Sequence, residues 1–285
     1  MSSTELSIGV VQCGLNGTRE QNVETVIEHV REAAARGAKI VLTPELFEGP
    51  YFCRDEDEDC FAWAREVDGN ENLERFRALA GELDVVLPFS FFERAGKAHY
   101  NSLAMIDADG SLLGVYRKAH IPEGPGYHEK FYFRPGDTPL RVWRTAHGVV
   151  GAAICWDQWF PEVARALSLQ GAEVLLYPTA IGSEPKSGED TKDPWQRVMV
   201  GHAVANSIPV AAANRIGDEG ALVFYGSSFI CDPRGDCIGE LGPEQSGVIV
   251  ASFDRAELAK RAASWGFFRD RRPDLYGPLL TGDGR

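Results

Sequence analysis

Three residues of kinds that cooperate in acyl chemistry stand at the ends of apolar, strand-like runs. Cys155 lies in VVGAAICWDQWFPEVAR (149–165), between an apolar stretch and an amphipathic helical pattern. A thiol at such a junction lies near backbone N–H groups that can lower its pKa and hydrogen-bond an oxyanion formed beside it. Read alone, Cys155 is either a nucleophile or one more small buried hydrophobe. Glu45 closes the run IVLTPELF (40–47) and is either an exposed strand cap or a partly desolvated acid able to accept a proton near neutrality. Lys118 ends the run Leu112–Lys118, where a lone lysine is an exposed charge. Together the three fit a single site, because α/β sheets present their chemistry at strand ends. A resting cysteine is mostly thiol near pH 7. Acyl transfer therefore needs a carboxylate to take its proton and a cation to stabilise the oxyanion.

The elements that must position these residues are those of a mixed α/β protein. Strand patterns occur at Leu6–Gln12, Ile40–Thr43, Val85–Glu93, Ser102–Asp107, Leu112–Lys118, Gly148–Ile154, Val174–Tyr177, Val210–Asn214, Ser228–Asp232 and Gly247–Phe253. Helical spacing marks Asn22–Arg36, Glu71–Leu83, Pro161–Gln170, Pro194–Asn206 and Arg255–Arg261, with Gly37 and Gly171 as C-terminal stops. A short turn around Asp109-Gly110 implies antiparallel pairing, which excludes a purely parallel doubly wound sheet. Two sheets packed face to face with helices outside bury these elements economically; one large mixed sheet is the alternative. No repeat or linker divides the chain, so 1–285 reads as one domain, with 265–285 as a C-terminal arm that either reaches a partner subunit or packs on its own domain.

Composition narrows the function. The 285 residues are 44% hydrophobic and 25% charged, ordinary for a globular protein. No apolar run approaches the roughly 20 residues that cross a bilayer. MSSTELSIGVVQ lacks the pattern of a secretory signal, so a cytoplasmic setting is expected. The six cysteines form no CxxC pair and have no histidine ligands nearby, which predicts reduced thiols and neither zinc nor a disulfide framework. A net charge of −13 disfavours nucleic acid and anionic membranes and is compatible with a cationic substrate. The acidic run Arg54–Asp59 is read as a solvated loop.

The chain resembles the nitrilase superfamily of carbon–nitrogen hydrolases over nearly its whole length. Glu45 after the TPE strand end, Lys118 in RKAH and Cys155 in CWD match that superfamily's three signatures, and Glu129 in EKFYFRPGD matches a fourth position. The resemblance implies a general base, an oxyanion-stabilising lysine, a nucleophile and a glutamate that orients lysine and substrate, in that order. It also implies a single hydrolase domain built as a four-layer α-β-β-α sandwich, association into dimers or higher homo-oligomers, and no metal or organic cofactor.

Within the superfamily, the segments ELFEGPYFC (45–53), YPTAIGSEP (177–185) and FRDRRPDLY (268–276) are similar to those of the enzymes that hydrolyse N-carbamoylputrescine. That likeness implies that Glu184 receives a distal ammonium and that Tyr51 lines the pocket; read from the sequence alone, Glu184 is equally a solvated loop residue. Trp156 and Trp159 are further candidates for apolar walls and cation–π contact. Relatives that take carbamoyl amino acids often carry an arginine pair soon after the cysteine. Gln158 and Trp159 stand there, which argues against an α-carboxylate substrate and for a small cationic carbamoyl-diamine.

Overall fold

The computed structural model describes residues 4–220 and 222–285. Strand β1 (Glu5–Gln12) lies between β14 (Gly247–Asp254), antiparallel, and β2 (Ile40–Leu42), parallel. A bridge from Ile40 to Val86 extends this sheet to β3 (Leu87–Ala95), β4 (Ala98–Ile106) and β5 (Leu112–Arg117), paired as an antiparallel meander. The second sheet runs in the order β13-β12-β9-β8-β7-β6. Its strands are β6 (Val142–Thr145), β7 (Gly148–Ala152), β8 (Val174–Pro178), β9 (Val210–Ala213), β12 (Phe229–Cys231) and β13 (Cys237–Glu240). A separate hairpin joins β10 (Ile216–Asp218) to β11 (Val223–Tyr225).

Helices cover both outer faces. Helices α1 (Arg19–Ala35) and α2 (Glu71–Leu83) lie on the first sheet; α4 (Pro161–Leu169) and α5 (Lys192–Asn206) lie on the second. Sheet meets sheet where β1 and β2 pack on β8 and β9, giving four α-β-β-α layers. The period-two pattern accounts for this: Ile40 and Leu42 enter the core shared by the two sheets, while Val41 points into the core under α1 and α2. Phe89 joins Val41 there, and Leu103 and Met105 of β4 join the first core. Local signals agree with the layers. Thr18 and Gln21 form a reciprocal cap on α1, and Asn70 caps α2.

A one-turn helix α3 (Glu129–Tyr132) and α6 (Arg255–Trp265) complete the set. Beyond α6 the chain lies back against α4, with the Arg165 guanidinium 5.0 Å from the Phe268 ring centroid, while Leu275, Leu279 and Leu280 stay exposed. Among the described residues, no helix is long and apolar enough to cross a membrane.

Candidate active site

Glu45 follows the C-terminal end of β2, Lys118 that of β5 and Cys155 that of β7, and α3 supplies Glu129 at its first residue. All four are withdrawn from solvent: 0% exposed for Glu45 and Lys118, 1% for Glu129 and 5% for Cys155. Lys118, read from the sequence alone as an exposed charge, is held on both sides: its N–H donates to the Asn101 carbonyl at 2.8 Å and its carbonyl accepts from Gly136 N–H at 2.8 Å. The segment after Glu45 is held by buried Arg215, which donates to the carbonyls of Leu46 and Gly49 at 3.1 Å each and pairs with Glu219 at 3.0 Å. Glu219 in turn accepts the Tyr51 N–H at 2.6 Å.

Cys155 has φ +41°, a left-handed backbone that costs a residue with a Cβ on the order of 1–3 kcal/mol. It opens a short 3-10 turn, Cys155–Trp159, and the α-helix begins only at Pro161. Backbone N–H groups at such a turn can lower a thiol pKa, but here other influences outweigh them. Burial raises the thiol well above its ordinary range, the Glu45 charge pushes the same way, and Lys118 opposes them. Cys155 therefore rests as a neutral thiol and needs a base.

A candidate base, Glu45, lies near enough for its charge to act on the thiol. Lys118 Nζ donates to Glu45 Oε1 at 2.8 Å and to both oxygens of Glu129 at 2.9 and 2.7 Å. Burial disfavours the ammonium, but Glu129 and then Glu45 outweigh it and hold the Lys118 pKa well above its usual value. Glu129 is raised to about 7, chiefly by burial, with Lys118 pulling it down and Glu45 pushing it up. Oε1 of Glu45 also accepts from Asn101 Nδ2 at 2.6 Å, whereas Oε2 has no hydrogen-bond partner among the described residues. A buried carboxylate with one anchored and one uncommitted oxygen is arranged to take a proton.

A cavity of about 100 Å³ opens onto Cys155 and Glu129. Tyr127, Trp156 and Ile181 give it apolar walls, and two carboxylates, Glu184 and Glu123, stand in its lining. Among the described residues, no lysine or arginine lines it. Burial and the neighbouring Glu189 raise the Glu184 pKa.

Two expected wall residues lie elsewhere. Tyr51 is fully buried behind the cavity, donating its hydroxyl to Glu129 Oε1 at 2.9 Å with its ring edge-on to Tyr127 and Phe224. Trp159 packs against the inter-sheet core, 6.2 Å from the Trp156 ring, because the chain is already turning into α4.

Sequence reasoning missed Asn101, Tyr127, Glu123 and Asn214. Asn214 bonds both the N–H and carbonyl of Ile181, at 3.0 and 2.8 Å, and so fixes the cavity wall. Of groups with metal-ligand character, Glu56, Glu123 and His128 bring their donor atoms within 4.8 Å of one another near the surface; Glu123 already accepts from His128 Nδ1 at 3.0 Å.

Residues 7–263 match the family model described as carbon-nitrogen hydrolase. The chain belongs to that family. An N-carbamoylputrescine amidase from Oryza sativa subsp. japonica is 51% identical to this carbon-nitrogen hydrolase, covering 99% of this chain and 97% of that protein. A citrullinase from Francisella tularensis is 50% identical over 96% of this chain and 98% of its own. Among solved structures, a mutant amidase from Nesterenkonia sp. AN1 superposes with a TM-score of 0.79 at 27% identity, covering 95% of each chain. It carries the acetamide moiety of fluoroacetamide covalently at its active-site cysteine.

Proposed function

We propose that this enzyme hydrolyses N-carbamoylputrescine to putrescine, carbon dioxide and ammonia through a covalent adduct on Cys155. The observation that carries the substrate is the cavity itself: Cys155 and Glu129 in its lining, with Lys118 and Glu45 bonded behind Glu129, apolar walls, and carboxylates Glu184 and Glu123 with no lysine or arginine among the described lining residues. A carbamoyl-diamine has the matching order of groups, a neutral ureido end, an apolar four-carbon spacer and a distal ammonium for Glu184.

In this mechanism Glu45 Oε2 takes the thiol proton as Sγ bonds to the ureido carbon. The oxyanion so formed is stabilised by the Trp156 N–H and the Lys118 charge. All three Lys118 donors are committed to carboxylates, so the lysine acts as a fixed positive charge. Collapse breaks the bond to the terminal nitrogen, which leaves as ammonia with the proton returned by Glu45. The diamine stays attached to sulfur through its carbamoyl group. Glu45 then deprotonates a water that attacks the same carbon, sulfur leaves and regains a proton, and the freed carbamic acid breaks down to carbon dioxide and putrescine. No step calls for a metal or organic cofactor.

Citrulline is the second reading, favoured by the 50% identity to the citrullinase. Its ureido end would fit equally and its α-ammonium would find an acid, but its α-carboxylate would face Glu184 and Glu123 with no lining cation. N-carbamoyl-β-alanine and dicarboxylate monoamides fail for the same reason. Relative kcat/KM on N-carbamoylputrescine, citrulline and N-carbamoyl-β-alanine tests the choice. A preference of at least about tenfold for the diamine, some 1.4 kcal/mol, is expected; a preference for citrulline would replace this reading with the second.

A cytoplasmic setting and self-association belong to the same proposal. Six unpaired thiols suit a reducing compartment, and the exposed Leu275, Leu279 and Leu280 offer apolar surface to a second copy.

A further inference from the structure

We infer that Asp157 is a positioning residue that sets the spacing between the Cys155 turn and the Lys118 strand end. Asp157 is fully buried, two residues beyond the thiol, and both of its oxygens are doubly occupied. Oδ2 accepts the Ile154 N–H at 3.0 Å, which closes the turn that carries Cys155, and the Tyr116 hydroxyl at 2.8 Å. Oδ1 accepts the His120 N–H at 3.0 Å and lies 2.7 Å from His120 Nδ1. One carboxylate therefore ties the nucleophile turn to residues two before and two after Lys118.

The connection is reinforced twice. Tyr116 hydroxyl accepts the Ala119 N–H at 3.3 Å, so the residue following Lys118 is held to the same group. The His120 ring stacks on Phe160 at 3.7 Å between centroids, next to the end of the Cys155 turn. Among the described residues, the Cys155 thiol bonds the Ala180 carbonyl and Lys118 Nζ bonds Glu45 and Glu129, not each other, so their separation depends on what fixes each backbone segment. In the turn, Cys155 carries an unfavourable φ of +41°, which persists only where surrounding bonds over-determine it. Asp157 supplies bonds of that kind from inside the turn and anchors the other end on the lysine strand.

Amide chemistry makes the role testable. Asparagine in place of Asp157 has one acceptor oxygen instead of two, so its NH2 must face either the Ile154 and Tyr116 donors or the His120 N–H. Either way one of the two anchors is lost while volume is conserved. Misplacement of reacting groups by about 1 Å can cost on the order of 10²-fold in rate.

The role rests on the proposed nucleophile and lysine but not on the identity of the substrate. Asp157→Asn is therefore assayed on whichever ureido compound the wild type turns over fastest, with active sites counted as the iodoacetamide label that peptide mass spectrometry places on Cys155, apart from that on exposed Cys237. The expected result is a fall in kcat per titrated thiol of about 100-fold with KM within about twofold. Tyr116→Phe, which removes one anchor and no volume from the core, is expected to lower kcat by about tenfold in the same sense. His120→Ala in the Asp157→Asn background should add little, because both act through one link. Wild-type kcat per titrated thiol in both Asp157→Asn and Tyr116→Phe, with only the melting temperature lowered, would overturn the inference. Should Asp157→Asn not fold, Tyr116→Phe decides alone. Failure of N-carbamoylputrescine as a substrate would leave this test intact.

Discussion

Asn101 holds Glu45 from the side: its Nδ2 donates to Glu45 Oε1 at 2.6 Å, and Oε2 has no donor among the described residues. The same residue's carbonyl accepts the Lys118 N–H at 2.8 Å, so one asparagine on β4 orients the proposed base and seats the lysine. Asn101→Ala keeps the backbone acceptor and removes the side-chain donor. A lost hydrogen bond to a buried charged group is worth about 1.5–3 kcal/mol. A fall in kcat of about 10- to 100-fold is therefore expected, measured by steady-state turnover, with the variant still titratable at Cys155.

Acidification should switch the enzyme off near neutrality. Glu129 must be ionised to hold Lys118 by two hydrogen bonds, and its pKa is raised to about 7 by burial. The ionised fraction therefore rises with pH through about 7. The pH profile of kcat/KM reports free-enzyme groups and should show an acid limb there, well above the ordinary carboxylate range. At the other end, the raised thiol pKa predicts that iodoacetamide labels Cys155 ever faster as pH climbs through the ordinary thiol range, without a plateau inside it.

Backbone packing offers a test away from the charged groups. A Cβ on Gly136 would overlap the Arg117 carbonyl oxygen and press on that of Lys118, because the Gly136 N–H is itself bonded to the Lys118 carbonyl. Gly136→Ala should displace the strand end and lower kcat by at least about tenfold, with a melting temperature reduced by several degrees, as an overpacked buried site implies. Unchanged kinetics would mean that the lysine strand end tolerates movement.

In the proposed reading Glu184 receives the amine end of the substrate. Breaking a fully buried ion pair costs about 3–5 kcal/mol, and an exposed pair about 1 or less. Glu184 is half-buried at the cavity, so Glu184→Gln should lower kcat/KM for N-carbamoylputrescine by roughly 10- to 100-fold. Carbamoyl compounds lacking the ammonium should be little affected in a parallel assay.

Much of this architecture was legible in the chain because its signals are local. Helix α2 follows its apolar spacing to the residue, and strands around Ile8, Leu103 and Leu175 follow period two or continuous apolar runs. Strands β6, β10, β11 and β13 were invisible: each has only three or four residues and owes its form to a neighbour. At the site, residue types at strand ends marked Glu45, Lys118 and Cys155, whose burial pattern the fold then supplied.

What remained hidden was pairing across long separations. Asn101 meets Glu45 from 56 positions away and Tyr51 meets Glu129 from 78, so no spacing rule could assign the first a role or move the second from wall to support. The direction of the thiol pKa was hidden for a related cause. The sequence revealed the nearby turn, whose N–H groups lower a pKa, but not the depth of burial, which raises it further.

The most direct test is product analysis on N-carbamoylputrescine with wild-type protein and the Cys155→Ala variant. The wild type should release putrescine and ammonia in equal amounts, and Cys155→Ala, folded by circular dichroism, should fall by about 10³-fold or more. Absence of putrescine from the wild-type reaction, or release by Cys155→Ala at a comparable rate, would contradict the account.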